Sequence, residues 1–251
     1  MKISPPHNLL CAASLGGFLS FGTDVSAVVV LDETFDNATG FTSSELFFSD
    51  EAVSTGSDFF GISDGAGGGD FGGADPASTN VQEYTGFTGN FLTGMDLDGE
   101  GITPPIVVDW TGLSITGLTG LVFSGDFAEF FDAPGNIDNG DFLRIEAQVD
   151  SGGYVNILEF RGNGAPFNGL FAIDTDLNGV GDGMTLGTAA QNISAGISGT
   201  GTTLDLRLSL SVDAVGEDFG IDNFQVSGVP EPGSAALFAL GSLCLLRRCR
   251  R

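Results

Sequence analysis

The stretch LDLRLSLSV, residues 204–212, decides the fold. Leu204, Leu206, Leu208, Leu210 and Val212 fall on one face and Asp205, Arg207, Ser209 and Ser211 on the other, and a period of two marks a strand buried on one side. FLRIEAQV, from Phe142, repeats the alternation with Leu143, Ile145, Ala147 and Val149 inward. Across Ser151-Gly152-Gly153, where glycine allows the positive φ of a tight turn, YVNILEF is expected as its hairpin partner. Further strands are expected at VVVLDETF near residue 28, SELFF near 44, IVVDW near 106, LSITGL near 113, GLVFSGDF near 120 and DFGIDNFQV from Asp218.

Helical signals are nearly absent. There are forty glycines and no sustained period of 3.6, so an all-β, antiparallel β-sandwich of jelly-roll type with long Gly/Asp-rich loops is expected. Residues 61–76, GISDGAGGGDFGGADP, hold seven glycines in sixteen positions and read as a flexible surface loop outside the core. They lack the Lys-Ser/Thr and the strand-to-helix setting of a phosphate loop. Residues 28–60 are too poor in apolar residues to be a separate domain. EDFGIDNFQV, Glu217 to Val226, resembles the closing strand of jelly-roll domains of secreted carbohydrate-binding and surface proteins.

The two ends differ from this body. At the start, Lys2 precedes an apolar, small-residue run from Leu9 to Phe21, and Val25-Ser26-Ala27 offers a cleavage site, so residues 1–27 are expected to be a signal peptide read by the secretion machinery. At the end, VPEPGSAALFALGSLCLLRRCRR, 229–251, places Pro230-Glu231-Pro232 before an uncharged stretch, Ala235 to Leu246, and then Arg247, Arg248, Arg250 and Arg251. The prolines fix φ and remove backbone donors, so the segment is expected to stay extended, accessible and outside any sheet ladder. Twelve helical residues span roughly 18 Å against a hydrocarbon core of about 30 Å, which suits a short transmembrane helix held transiently. Four guanidiniums are costly to move into hydrocarbon and keep the body of the protein on the other side of the membrane.

This order of elements resembles the PEP-CTERM sorting signal of bacterial exported proteins. The resemblance implies an exosortase, a membrane-embedded transpeptidase-like enzyme, as the partner that removes the tail near Pro230 to Pro232, and a cell-surface or extracellular-matrix destination with extracellular polysaccharide around it. The expected organisation is a signal peptide over 1–27, a β-sandwich over 28–228 and a sorting signal over 229–251.

Removing the ends changes the chemistry. Cys11, Cys244, Cys249, His7 and Lys2 all leave, so the body has no thiol, imidazole or amine for nucleophilic, acid–base or Schiff-base work. Of 33 acids only Asp24 and Glu231 are lost, leaving 31 against Arg144, Arg161 and Arg207, a formal charge of −28. Such a surface repels phosphate, which excludes nucleic acid as a partner.

DTDLNGVGDG, 174–183, has the spacing of a calcium loop. Asp174, Asp176 and Asn178 occupy positions 1, 3 and 5, Gly179 the turn, Val180 offers its carbonyl and Asp182 follows at 9; Thr185 stands where a bidentate acid is usual. Ca²⁺ is the ion such alternate oxygens suit, and a solvated turn capped by its own Asp and Asn side chains is the other reading. GMDLDGEG, with Asp96, Asp98 and Glu100, has the same character. Catalysis would fall to carboxylates alone, as in a glycosidase, and the acids are expected mostly in Gly-rich loops or at outward strand positions such as Asp205 and Glu146. A lectin would draw on Trp110, Tyr84 and Tyr154 for stacking, and Trp110 reads as a buried anchor. The reading that results is a non-catalytic, exported surface protein, with a carbohydrate-binding module and a carboxylate glycosidase as alternatives.

Overall fold

A computed structural model describes residues 26–49, 58–66, 68–73, 75–76, 81, 84–130, 136–163 and 169–231. Its strands in chain order are β1 (Val28–Glu33), β2 (Thr42–Ser43), β3 (Phe48–Ser49), β4 (Phe59–Ser63), β5 (Gly69–Asp70), β6 (Phe91–Met95), β7 (Ile106–Ser114), β8 (Leu118–Glu129), β9 (Phe142–Val149), β10 (Val155–Gly162), β11 (Phe171–Ile173), β12 (Gln191–Ile197), β13 (Thr203–Ser211) and β14 (Phe219–Pro230). A 3-10 turn over Gly99–Gly101 is the only helical element among the described residues.

The strands form two antiparallel sheets. One runs β12-β8-β14-β6-β4-β3, with β1 added to β14 and β5 to β4; the other runs β11-β10-β9-β13-β7-β2. From β6 onward the chain passes repeatedly from one sheet to the other, which is the connectivity of a jelly-roll-like sandwich. The alternating stretch over 204–212 forms β13, in the middle of the second sheet, and its inward leucines and Val212 are fully buried. Leu206, Leu208 and Leu210 stand opposite Ala147, Ile145 and Leu143 of β9, and β9 and β10 form the expected hairpin. From the first sheet β14 supplies Ile221, Phe224 and Val226, all fully buried.

Three local expectations change. LSITGL is no separate strand: β7 runs on to Ser114, and the turn that follows buries Ile115 as the chain crosses to β8 in the other sheet. SELFF contributes only Phe48, which forms β3 with Ser49, and Leu46 is 88% exposed, because the chain here is passing from β2 in one sheet to β3 in the other. The glycine-rich segment is not outside the core. Ile62 and Phe71 are buried, and Phe71 packs edge-on against Phe59 with ring centroids 5.8 Å apart.

The glycines there serve close approach of backbone to backbone. A Cβ on Gly61 would lie 2.4 Å from the Asp70 carbonyl oxygen and 2.6 Å from the Phe71 ring. Gly61→Ala is therefore expected to lower stability by about 1–3 kcal/mol through overpacking, read as a lower denaturation midpoint. An unchanged midpoint would contradict the packing of β4 on β5.

Candidate functional site

The C-terminal end of β14 carries the first site. Val226, Ser227, Val229 and Pro230 pair with Phe123, Val122, Thr119 and Leu118 of β8, and the Glu231 N–H donates to the Gly117 carbonyl at 2.8 Å. The expectation that Pro230 keeps this segment out of a ladder is overturned. The residue takes the last rung, where its missing donor falls at the strand end, and hydrogen bonding resumes at Glu231. On its other edge β14 pairs with β1, placing Val28 opposite Gly228 and Val29 opposite Ser227. The residue after the expected signal-peptide cut and the residues before Pro230 are thus side by side at one pole. Pro232, the apolar stretch over 235–246 and Arg247, Arg248, Arg250 and Arg251 lie outside the described residues, as does the signal peptide before Ser26. Among the described residues no helix is long and apolar enough to cross a membrane.

The loop over 174–182 is closed by its own hydrogen bonds. Asp174, 2% exposed, accepts the Asn178 N–H at 3.1 Å on one oxygen and the Gly179 N–H at 2.6 Å on the other. Asp176 accepts from the Asn178 amide at 3.0 Å, Asn178 Oδ1 accepts the Val180 N–H at 3.0 Å, and Asp182 accepts the Thr175 N–H and hydroxyl at 2.9 and 2.8 Å. Those two Thr175 donors hold the Asp182 carboxyl below the usual carboxylate range. The side chains of Asp174, Asp176, Asn178 and Asp182 are each already engaged as acceptors within the loop.

A different group of acids converges at the opposite pole, where β14 begins and β13 ends. Carboxylate oxygens of Asp138, Asp213 and Glu217 all lie within 4.8 Å of one another. Glu217 is locked by the N–H groups of Asp213 and Ala214, both at 2.8 Å, and Asp141, fully buried, accepts the Asp138 N–H at 2.6 Å. Burial pushes the Asp141 carboxyl up to about 8 against that N–H bond, with the charges of Glu217, Asp138 and Asp213 adding to the rise. Burial likewise carries Glu217 to about 7, opposed by its two N–H bonds. Asp213 is raised by burial and then by Asp138 and Asp98, which brings the 96–98 stretch to the same pole; the Leu97 N–H donates to the Val212 carbonyl at 2.8 Å. Asp96 itself is lifted to about 7, by burial first and then by Asp98 and Asp58.

The expectation that the acids are mostly ordinary and water-exposed does not extend to a group of eight. Glu33, Glu129, Asp141, Glu159, Asp174, Glu217, Asp218 and Asp222 are all buried. Asp222, in β14, is pushed up to about 7 by burial, with Asp126, Asp36 and Glu33 adding to it and the Asn223 N–H opposing. Asp141, Asp174, Glu217 and Asp218 sit just outside strands and Asp222 at the bulge around Asn223, where φ is 53° and the ladder slips register, so alternation does not reach them; Glu33, Glu129 and Glu159 lie within β1, β8 and β10.

The arginines and large aromatics are committed to structure. Arg144 and Arg161 both pair with buried Glu159, at 2.8 and 2.5 Å, and Arg207 pairs with Asp109 at 2.8 Å while covering the Tyr154 ring at 4.0 Å. Trp110 is buried and donates to Glu33 at 3.3 Å, and Tyr84 is buried. A cleft of about 350 Å³ opens between the β9–β10 hairpin, at Val149, Val155 and Asn156, and Ile197–Ser198 of the facing sheet. None of its lining residues is titratable.

The sequence model of the PEP-CTERM protein-sorting motif matches residues 228–251. The chain carries a PEP-CTERM sorting signal. The motif begins at Gly228, inside β14, so its first three residues are rungs of the sheet that forms half the core. No curated protein matches the sequence. Among solved structures, the CBM22-1 xylan-binding domain of Paenibacillus barcinonensis Xyn10C is 12% identical over 84% of this chain and 100% of its own, with a TM-score of 0.39. The Stig cyclase Fisc of Fischerella sp. TAU is 12% identical over 82% and 100%, with a TM-score of 0.46. The CBM22-1–GH10 modules of the Clostridium thermocellum xylanase Xyn10B are 11% identical over 80% of this chain, with a TM-score of 0.38, and this chain spans 28% of that longer one.

Proposed function

We propose that this protein is an exported, exosortase-processed and non-catalytic β-sandwich, displayed at the cell surface or in the extracellular matrix. The observation that carries the reading is the PEP-CTERM motif continuing directly from β14. β1 begins at Val28, next to Gly228, so a domain held by a signal peptide and then by a C-terminal anchor would face the membrane with the same pole throughout its export. A strand of twelve residues rises roughly 40 Å, which sets the acidic pole far from that membrane.

The non-catalytic part of the reading rests on access. A carboxylic acid acts as a general acid only if its raised pKa comes with contact to substrate. Asp141, Glu217 and Asp222 have raised values but are at most 2% exposed, and Asp96 and Asp213, which are also raised but more accessible, lie outside the open cleft at Val149, Val155 and Ile197, which is lined by no acid.

Because Pro230 belongs to the ladder, the sorting test is best made beyond it. Glu231→Ala with Pro232→Ala, expressed in the native host, is expected to leave the protein membrane-associated with its tail intact. Replacing Arg247, Arg248, Arg250 and Arg251 by Ser is expected to let unprocessed protein escape or be degraded. Variants with the same mass and location as wild type would remove the sorting reading.

A further inference from the structure

We propose that the pole opposite the sorting signal binds one calcium ion through Asp138, Asp213 and Glu217, with the buried carboxylate of Asp141 completing the acidic side of the site. Two independent observations carry this. The first is spacing: oxygens bound to one Ca²⁺ at 2.3–2.6 Å stand at most about 5 Å apart, and those of the three acids lie within 4.8 Å of one another. The second is an orphaned oxygen. Asp141 is fully buried, its Oδ2 takes the Asp138 N–H, and its Oδ1 meets no hydrogen-bond donor. The Glu217 carboxyl lies against it. A buried acceptor without a donor is costly, and two facing carboxylates make it costlier unless a proton or a cation is held between them.

Among the described residues no side chain supplies a positive charge there. Arg144 and Arg161 are held by Glu159 and Arg207 by Asp109, and residues 28–228 contain no lysine or histidine. The donor set is all oxygen, with neither imidazole nor thiolate, which selects a hard cation over zinc or copper. Its ligands come from the 138–141 turn and the 213–217 turn, whose carboxylates are already oriented by backbone N–H groups. Loops of this kind suit the adaptable shell of calcium better than the strict octahedron of magnesium. Asp98, whose charge reaches Asp213, adds to the field that draws a cation in.

The test uses the full-length chain in detergent, stripped with EGTA. Titration calorimetry with CaCl₂ is expected to show one site of this kind, and millimolar CaCl₂ to raise the melting temperature by several degrees, since a ligand of the native state stabilises it by mass action. Asp141→Asn combined with Asp213→Asn is expected to weaken binding by about tenfold or more and to remove the shift. In EGTA the same variant should melt at or above wild type, because it relieves repulsion, which shows that it folds. Asp176→Ala, in the loop closed by its own hydrogen bonds, should keep the full response. The proposal is overturned by a wild-type chain indifferent to CaCl₂, by an undiminished response in Asp141→Asn/Asp213→Asn, by loss of the response in Asp176→Ala, or by a larger shift with MgCl₂ than with CaCl₂.

Discussion

Phe224→Ala is expected to destabilise the protein by about 3–5 kcal/mol, the cost of an aromatic deletion in a core that cannot collapse around it. Phe224 is fully buried, and its ring meets four others: Phe123 at 5.0 Å, Phe35 and Trp110 at 5.5 Å and Phe127 at 5.6 Å. Phe35 and Trp110 come from the β1–β2 connection and from the opposite sheet, so the void would open at the junction of both layers. The site is also shaped for this ring. A Cβ on Gly125 would fall 2.6 Å from Phe224 Cδ1, so the neighbouring strand gives up a side chain to admit it. Denaturant unfolding should show a fall in midpoint with little change in slope, and Phe224→Leu should recover most of the loss. A loss below about 1 kcal/mol for alanine would mean that the two sheets do not meet there as described.

Stability of the cation-free protein is expected to fall as pH rises from about 5 to 8. Asp141, Glu217 and Asp222 have native pKa values of about 8, about 7 and about 7, all above those of an unfolded chain. Between about pH 4 and these values the native state binds more protons than the unfolded one, so each group stabilises fully below its unfolded pKa, and that stabilisation is lost as pH passes through the folded pKa. A tenfold difference in proton affinity between the two states is worth about 1.4 kcal/mol. Three buried groups together should move stability by several kcal/mol, and a net charge of −28 adds self-repulsion of the same sign. Thermal unfolding in EGTA should give a melting temperature at pH 5 well above that at pH 8. A flat profile, or one rising with pH, would contradict the burial of these carboxyls.

The strands that are legible in the sequence are those with one wet face. β13 and β9 alternate because one side meets solvent and the other meets the facing sheet, so Leu206 and Arg207 announce their positions. β4 and β6 carry no such signal, since all five residues of each are buried and their glycines and phenylalanines show no period. The segment over 61–76 misleads for a related reason. Glycine count speaks of flexibility in an isolated chain, whereas here Gly61 is required by a carbonyl 2.4 Å from where a Cβ would stand.

The acidic pole is out of reach of the sequence because its carboxylates are contributed by residues 138–141 and 213–217, which neighbour each other only once β9 and β13 are paired with Phe142 opposite Ser211. The loop over 174–182 has the right residue types in a row, but local spacing cannot tell a cation's ligands from an Asp that caps its own turn. The terminal signals are legible because each is a linear pattern read by another protein. Their meeting is not: Val28 and Gly228 become neighbours only through β1 and β14.

The central claim is that a folded sandwich is released from processing signals at one of its poles. Intact-mass analysis of the protein purified from its native host tests it most directly. The mass should correspond to a chain that starts at or near Val28 and ends near Pro230 to Pro232, with or without an attached group at the new C-terminus. A mass that retains residues 233–251, from protein recovered at its final location, would contradict it.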